Sequence, residues 1–493
     1  MTFSNDDIRG LVGGDILGLV TRGMYTDPLV IYREYIQNAA DAIATSNKPE
    51  SGSIEIEIDP SELCLKIRDN GPGLSPSQAK RELIPLAMSQ KDLKCNRGFR
   101  GVGRLSGLAF GSSVTFLTRC GAESTIMRVV WNGEQLRKSI DKNLSIRKAI
   151  LECVTVDQLK GDNYPENFFE VQVEGISRYA ASSILNRDIV RDYIGEICPV
   201  QFKETFPYLD DLSHLFKGYP KPLTLSIYLN GEKEKITRPY DNVVRLPNDQ
   251  QDRYVSFEKI MVPTLDNNGF AAIGWVAHSS YLGALSKKSK EKCLRARIGN
   301  IQIGDATIFD HLFSESRFNR WCVAEIHILD TRIVPNGKRD YFEPSPHVRN
   351  LENHLGAVCR KLERQCRIAS GVRNHFRRTQ AFLKDLEEFY DLLSSGYLST
   401  KVARQLAKER MVEICDFRKT ERCQKMCAED IKRLNLLVDK FSHIKVRQKQ
   451  SAFRGIDSSE ISTYKNIFKI ISEISSSPQA AKKIIESILV NAK

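Results

Sequence analysis

Glu34, Asn38 and Asp41 recur at intervals of four and three residues in "YREYIQNAADAI", residues 32 to 43. At about 100° per residue their side chains fall within an arc of roughly 60° on a helix. A carboxylate so placed could take a proton from water, and an amide oxygen beside it could ligate a hard divalent cation. Leu29, Tyr32, Tyr35, Ile36, Ala39 and Ile43 occupy the other side. Taken alone, then, the segment also reads as an ordinary amphipathic helix with a wet face.

Two further segments carry chemistry. In "RDNGPGL", residues 68–74, Asp69 ends a strand pattern, and Gly71 and Gly73 allow positive φ or close backbone approach. That is either a plain β-turn or a carboxylate at a strand end that accepts from an exocyclic amine. In "RGFRGVGRLSGLAFG", residues 97–111, Gly98, Gly101 and Gly103 precede a helical pattern and could present bare N–H groups to phosphate. The spacing G-x-G-x-x-x-G is one residue too long for a dinucleotide fingerprint, and no P-loop pattern occurs.

Elements to position these residues are legible. "DPLVIYREYIQNAADAIA" predicts a helix with Asp27 as N-cap and Pro28 at its first position. "GSIEIEIDPSELCLKIRDNG" predicts two strands joined at "DPSE", and "SSVTFLTRC", "ESTIMRVVW" and "FFEVQVEGI" predict three more. The class expected is α+β: an α/β sandwich with helices on one face of a mostly antiparallel sheet. "NRDIVRDYIGEICPVQF" closes this domain near residue 200. A second α/β domain is expected over 201–345, with a hairpin turn at Asn230-Gly231 and strands in "GFAAIGWVAHSSY", "CLRARIGNIQIGD" and "WCVAEIHILDTRIVPNGKRDYF". Residues 346–493 read as mainly helical, broken at "SSGYLST" and "SSPQ".

Composition is that of a globular protein, 41% hydrophobic and 27% charged. No run approaches the roughly 18 apolar residues that a membrane span needs. Asp6, Asp7 and Asp15 stand where a secretory signal would carry positive charge, so a cytoplasmic location is expected. The twelve cysteines are scattered. Cys415, Cys423 and Cys427 match no zinc spacing and read as incidental buried thiols on a helix. Of the net charge of +12, residues 351–493 supply most, with 28 Lys and Arg against 17 Asp and Glu. Such a tail invites nucleic acid, an anionic surface or an acidic protein, unless it is simply a solvated helical face.

Together, and in this order, E-x-x-x-N-x-x-D, D-x-G-x-G and G-x-x-G-x-G resemble the nucleotide-binding motifs of the GHKL ATPases, whose nucleotide domain is the Bergerat fold. Within that superfamily "LVTRGMYTDPLVIYREYIQNAADAI" and "RGFRGVGRLSGLAF" look most like the heat-shock protein 90 (HtpG-like) chaperones. "VPNGKRDYF", residues 334–342, resembles the chaperone segment that carries a catalytic arginine, with Arg339 at that position and Asn336 also matching. The resemblance implies ATP hydrolysis with Mg²⁺. Asn38 would hold the metal, Glu34 would activate water, and Asp41 would support the nucleotide-facing surface. Asp69 would bind the adenine amine, with Gly71 and Gly73 letting the base approach. Gly98, Phe99, Arg100, Gly101, Val102 and Gly103 would cradle the phosphates. Residues 75–97 would form a lid, with Lys91 a phosphate contact. Arg339 would swing in from the second domain to the γ-phosphate. A homodimer acting on protein clients is implied, with no membrane partner.

The sequence departs from the chaperone pattern at several points. Phe169 stands where the family has a threonine beside the adenine aspartate, and no acidic linker follows the first domain. The chaperones' C-terminal dimerisation domain and acidic terminal motif are not visible. An alternative is a GHKL ATPase clamp on nucleic acid, MutL-like or MORC-like, using the basic helical region. A histidine kinase fits poorly, since no histidine precedes His214.

Overall fold

A computed structural model describes residues 27–85, 103–121, 123–142, 146–161, 163–446 and 453–492. It divides into two compact units, Met1–Cys366 and Arg367–Lys493. The class is mixed α+β, with two sheets in the first unit and helices in the second.

The first sheet has seven strands among the described residues. They are β1 (Ser53–Asp59), β2 (Cys64–Asp69), β3 (Ser113–Arg119), β4 (Thr125–Asn132), β5 (Val154–Lys160), β6 (Phe168–Glu174) and β7 (Ser226–Leu229). Their order is β5-β4-β3-β6-β2-β1-β7, antiparallel throughout except for the parallel pair β1–β7. Alternation does the work in β1 and β2. Ile54, Ile56, Ile58, Leu65 and Ile67 are all buried, and β1 exposes Glu55 and Glu57 between them. Against this face pack helix α1 (Val30–Ala44) and helix α2 (Pro76–Leu83), whose Ile36, Ala40, Ala79 and Leu83 join one continuous core. Ser75 and Gln78 close a capping box at the start of α2, and the Trp131 indole N–H donates to the Leu83 carbonyl at 3.1 Å. The opening of the segment expected as a lid is therefore a core helix. Strand β7, drawn from beyond residue 200, completes this sheet. It ends at Asn230 and Gly231, whose φ values of 50° and 70° make the expected turn.

The second sheet comprises β8 (Val243–Arg245), β9 (Gln251–Pro263), β10 (Phe270–Ser279), β11 (Cys293–Ile298), β12 (Ile301–Ile303) and β13 (Val323–Ile328). Its order is β12-β11-β13-β10-β9-β8, with β11 and β13 parallel. A buried charge network fills it. Glu325 accepts from Arg238 and from Arg297 at 2.6 Å each and from the Tyr240 hydroxyl at 2.8 Å. Arg297 also donates to the Glu196 carbonyl at 2.6 Å, on helix α3 (Arg187–Ile197). Thus α3, from the first layer, is held by side chains of the second sheet.

In the second unit, helices Thr400–Arg418, Ala428–Ser442, Ile461–Ile474 and Pro478–Asn491 pack with the end of Pro346–Ser394. Leu386, Ile414, Leu437, Phe468 and Ile485 are central to that core. No helix among the described residues is long and apolar enough to cross a membrane.

Candidate functional site

Helix α1 is not a surface helix. Ile31, Tyr32, Ile36 and Ala40 are fully buried, and so, to within a tenth, are the polar Arg33, Gln37 and Asp41. Glu34 and Asn38 are half-buried. A polar face at this depth is matched by polar partners, which rules out the wet-face alternative. The helix proper begins at Val30, later than expected, but Asp27 still caps its approach by accepting from the Leu29 N–H at 3.0 Å.

Both glycine segments close on this helix. The Gly71 N–H donates to the Asp69 carboxylate at 2.8 Å, and a Cβ on Gly71 would lie 3.5 Å from Ala42 and Ile43 of α1. About 12 Å up the helix axis, Gly103 faces Glu34 so closely that a Cβ there would stand 2.2 Å from its Oε2. One turn on, the Gly107 N–H donates to the Tyr35 hydroxyl at 2.9 Å. Residues Gly103–Ala109 form a 3₁₀ stretch anchored by buried Leu105 and Leu108. Gly73 serves chain crossing: its φ is +69°, and a Cβ would stand 1.9 Å from the Arg119 carbonyl oxygen.

Asp69 ends β2 with only 5% of its surface exposed. Burial pushes its carboxyl up from an ordinary 3.8 to about 7, against the lowering effect of the Gly71 N–H. In register it faces Phe169 on β6, and Phe169 faces Thr118 on β3. The Phe169 ring is half-buried, 5.9 Å from that of Phe116. The Thr118 hydroxyl is fully engaged: it accepts from the Leu74 N–H at 2.8 Å and donates to the Phe168 carbonyl at 3.0 Å. It stitches the glycine turn to the sheet.

The second sheet delivers its turn to the same helix. Between Pro335 and Phe342 the chain closes a bridge, with the Asn336 N–H donating to the Tyr341 carbonyl at 2.9 Å and the Arg339 N–H to the Asn336 carbonyl at 3.0 Å. Arg339 adopts φ 59°, is 8% exposed, and donates from Nη1 to the Gln37 side-chain oxygen. Beside it the Arg33 guanidinium joins Glu34 at 3.1 Å and the Lys338 carbonyl at 3.3 Å. The resemblance implied an arginine arriving by domain closure. In this structure Arg339 already lies against α1, within one compact unit.

Glu34, Asn38, Asp41, Asp69, Gly71, Gly103 and Arg339 are thus all in or against α1 or the turn that packs on it. Lys91, Gly98, Phe99, Arg100, Gly101 and Val102 lie outside the described residues. Sequence reasoning missed Arg33 and Gln37. The signal for Gln37 was its place three residues after Glu34, at the flank of the polar arc. Arg104 was also passed over; its guanidinium donates to the Pro85 carbonyl, and burial lowers it to about 10. Cys415 and Cys427 are exposed and Cys423 half-buried, not the buried thiols expected: Cys427 stands before its helix as the N-cap, and Cys423 only borders the core. Among the described residues no three His, Cys, Asp or Glu side chains cluster as a metal site.

No curated protein matches the chain. Residues 28–163 do match the family model described as "Histidine kinase-, DNA gyrase B-, and HSP90-like ATPase", and this part of the chain is a GHKL-type ATP-binding domain.

Proposed function

We propose that the protein is an ATP-hydrolysing conformational machine of the kind the heat-shock protein 90 chaperones represent. The observation that carries this reading is Arg339 bonded to Gln37 of α1, the helix that carries Glu34 and Asn38. Glu34 takes the proton of the attacking water, and its half-buried carboxylate is oriented by Arg33. Asp69 accepts from the adenine amine at the end of β2. Arg339 answers charge on the terminal phosphate and passes its presence to the second sheet through the 335–342 turn.

The side chains present suit Mg²⁺. Asn38 offers a hard amide oxygen, and with no three-ligand acidic cluster among the described residues the ion would draw its other ligands from phosphate and water. When bound, it neutralises phosphate charge. The bare Gly103 backbone leaves room that a Cβ would fill against Glu34.

A second reading has one observation behind it. Residues 367–493 hold 25 Lys and Arg against 15 Asp and Glu, which suits a clamp on nucleic acid. Binding of the full chain to duplex DNA, measured across a salt series, separates the two. A steep inverse dependence on salt supports the clamp; no binding at low salt leaves protein clients.

The test of the main reading is ATP turnover by the wild type, Glu34→Ala and Arg339→Ala, with nucleotide affinity measured alongside. Slow turnover in the wild type, lost in both variants while ATP still binds, is the expected result. Normal turnover in Arg339→Ala would remove the second sheet from the mechanism.

A further inference from the structure

We infer that Gln37 is the positioning residue for Arg339: its side-chain oxygen fixes the guanidinium on α1, the helix that carries Glu34 and Asn38. This inference rests on the reading of Arg339 given above and assigns the residue that sets its geometry.

Three features lead to it. First, both partners are buried, Gln37 at 1% and Arg339 at 8% exposure, and they meet across 302 positions of sequence. A buried amide oxygen at that depth requires a donor, and the guanidinium supplies one. Second, the turn is held twice by the same stripe of the helix. Arg33 and Gln37 are four residues apart and therefore neighbours on the α1 surface; they hold Lys338 and Arg339, which are adjacent in the turn. Two consecutive residues gripped one helical turn apart fix the register of the turn on the helix, which a single contact would not. Third, the stem of Arg339 starts from a pinned backbone. Its N–H donates to Asn336, and its carbonyl accepts from the Gly304 N–H at 2.8 Å. With the stem pinned at one end and Nη1 bonded at the other, the guanidinium plane is defined before any nucleotide arrives.

The chemistry of the acceptor matters as much as its place. Glutamine holds a guanidinium without adding negative charge, so this bond does not neutralise the cation that a phosphate would meet. A carboxylate at the same position would keep the geometry and compete with the phosphate for the charge. Position and charge can therefore be tested apart.

The experiment uses the full chain as Gln37→Met, Gln37→Glu, Arg339→Ala and the Gln37→Met/Arg339→Ala double variant. Three quantities are read: turnover against ATP concentration, the ratio of affinities for a non-hydrolysable ATP analogue and for ADP, and the melting temperature. Gln37→Met should lower kcat and the analogue-to-ADP preference at least tenfold, with ADP affinity within threefold of wild type. Gln37→Glu should lose the same preference although it keeps an acceptor. The double variant should be no worse than Arg339→Ala, because both changes remove one device. The inference is overturned if Gln37→Met keeps turnover and preference, if its loss multiplies with that of Arg339→Ala, or if only its melting temperature falls. If Arg339→Ala itself matches the wild type, or the wild type binds neither nucleotide, the reading of the site fails and Gln37 falls with it. That failure is visible in controls that leave Gln37 untouched.

Discussion

Gly103 lies against Glu34 so tightly that a methyl group on its Cα would stand 2.2 Å from the carboxylate oxygen Oε2. The next nearest atoms are also of Glu34, at 3.2 and 3.6 Å, so the clash is with one flexible side chain and not with backbone. Gly103→Ala should therefore fold and move the carboxylate. The other oxygen, Oε1, is bonded to Arg33 at 3.1 Å, which limits where the group can go. We expect ATP turnover to fall at least tenfold while the melting temperature changes by no more than about 3 °C. Unchanged turnover in this variant would mean that Glu34 does not work from the position seen here.

Asp69 makes a prediction with a definite sign. Its carboxyl is raised from 3.8 to about 7 by burial, so the fold disfavours the ionised form. No penalty exists below about pH 4, where both states are protonated; it grows as pH rises and is complete above about pH 7. Asp69→Asn removes the charge and keeps the shape. Relative to wild type it should gain stability at pH 8 but not at pH 4, with a difference of order 2–4 kcal/mol. Urea unfolding midpoints at the two pH values measure it, and equal shifts at both would show that the carboxylate is not desolvated. ATP affinity should fall in the same variant, since an amide presents one acceptor where the carboxylate presents two.

Much of this was legible in the sequence, and what was not has physical reasons. Strands β1, β2, β3, β4 and β6 follow from alternation, because each buries one or both faces in the core. Strand β5 was missed because it lies at the sheet edge with little of its surface buried, so "VTVDQLK" carries no clear period. Strand β9 was missed for a related reason: its register shifts beside Tyr254, and apolar Val255 and Met261 stand exposed while Asp252 is buried, so burial does not follow the residue types. For the site, the motifs placed Glu34, Asn38, Asp69 and Arg339, but no pattern in the chain pairs Gln37 with Arg339. That contact joins helix α1 to the 335–342 turn, 302 residues on in the sequence. Sequence spacing encodes which face of a helix is polar, and only tertiary packing determines that the face is buried.

Two glycines with nearly the same backbone separate strain from crowding. Gly73 has φ +69° and Gly121 has φ +62°. Nothing lies within 4 Å of a Cβ built on Gly121, whereas on Gly73 it would stand 1.9 Å from the Arg119 carbonyl oxygen and 2.9 Å from that of Phe168. Gly121→Ala should cost about 1–2 kcal/mol, the left-handed penalty alone. Gly73→Ala should exceed it by at least about 2 kcal/mol, because two strands must part to admit the methyl group. Chemical unfolding of both variants decides. Equal costs would mean that the β2–α2 turn can move away from β3, and that Gly73 is there for a ligand and not for chain crossing.

Glu325 behaves oppositely to Asp69 although it is more deeply buried. Burial alone would raise its carboxyl, but Arg238 and Arg297, each at 2.6 Å, outweigh it and hold the group well below the usual carboxylate range. A depressed value contributes stability above the unfolded pKa, near 4.5, and that contribution is lost as pH falls below it. Glu325→Gln leaves two guanidiniums buried with no carboxylate between them, and we expect a loss of about 3–5 kcal/mol that stays level from pH 7 to about pH 4.5 and narrows only below it. The pairing of Arg332 with Asp266 and Asp330 is the contrast: with 42% of the Arg332 side chain exposed, Arg332→Ala should cost far less than Glu325→Gln. The larger loss has a structural consequence, since Arg297 also holds the Glu196 carbonyl on α3. If Glu325 fixes that arginine, amide exchange in α3 should speed up in Glu325→Gln and not in Arg332→Ala. Equal protection of α3 in both would show that the second sheet grips this helix by packing alone.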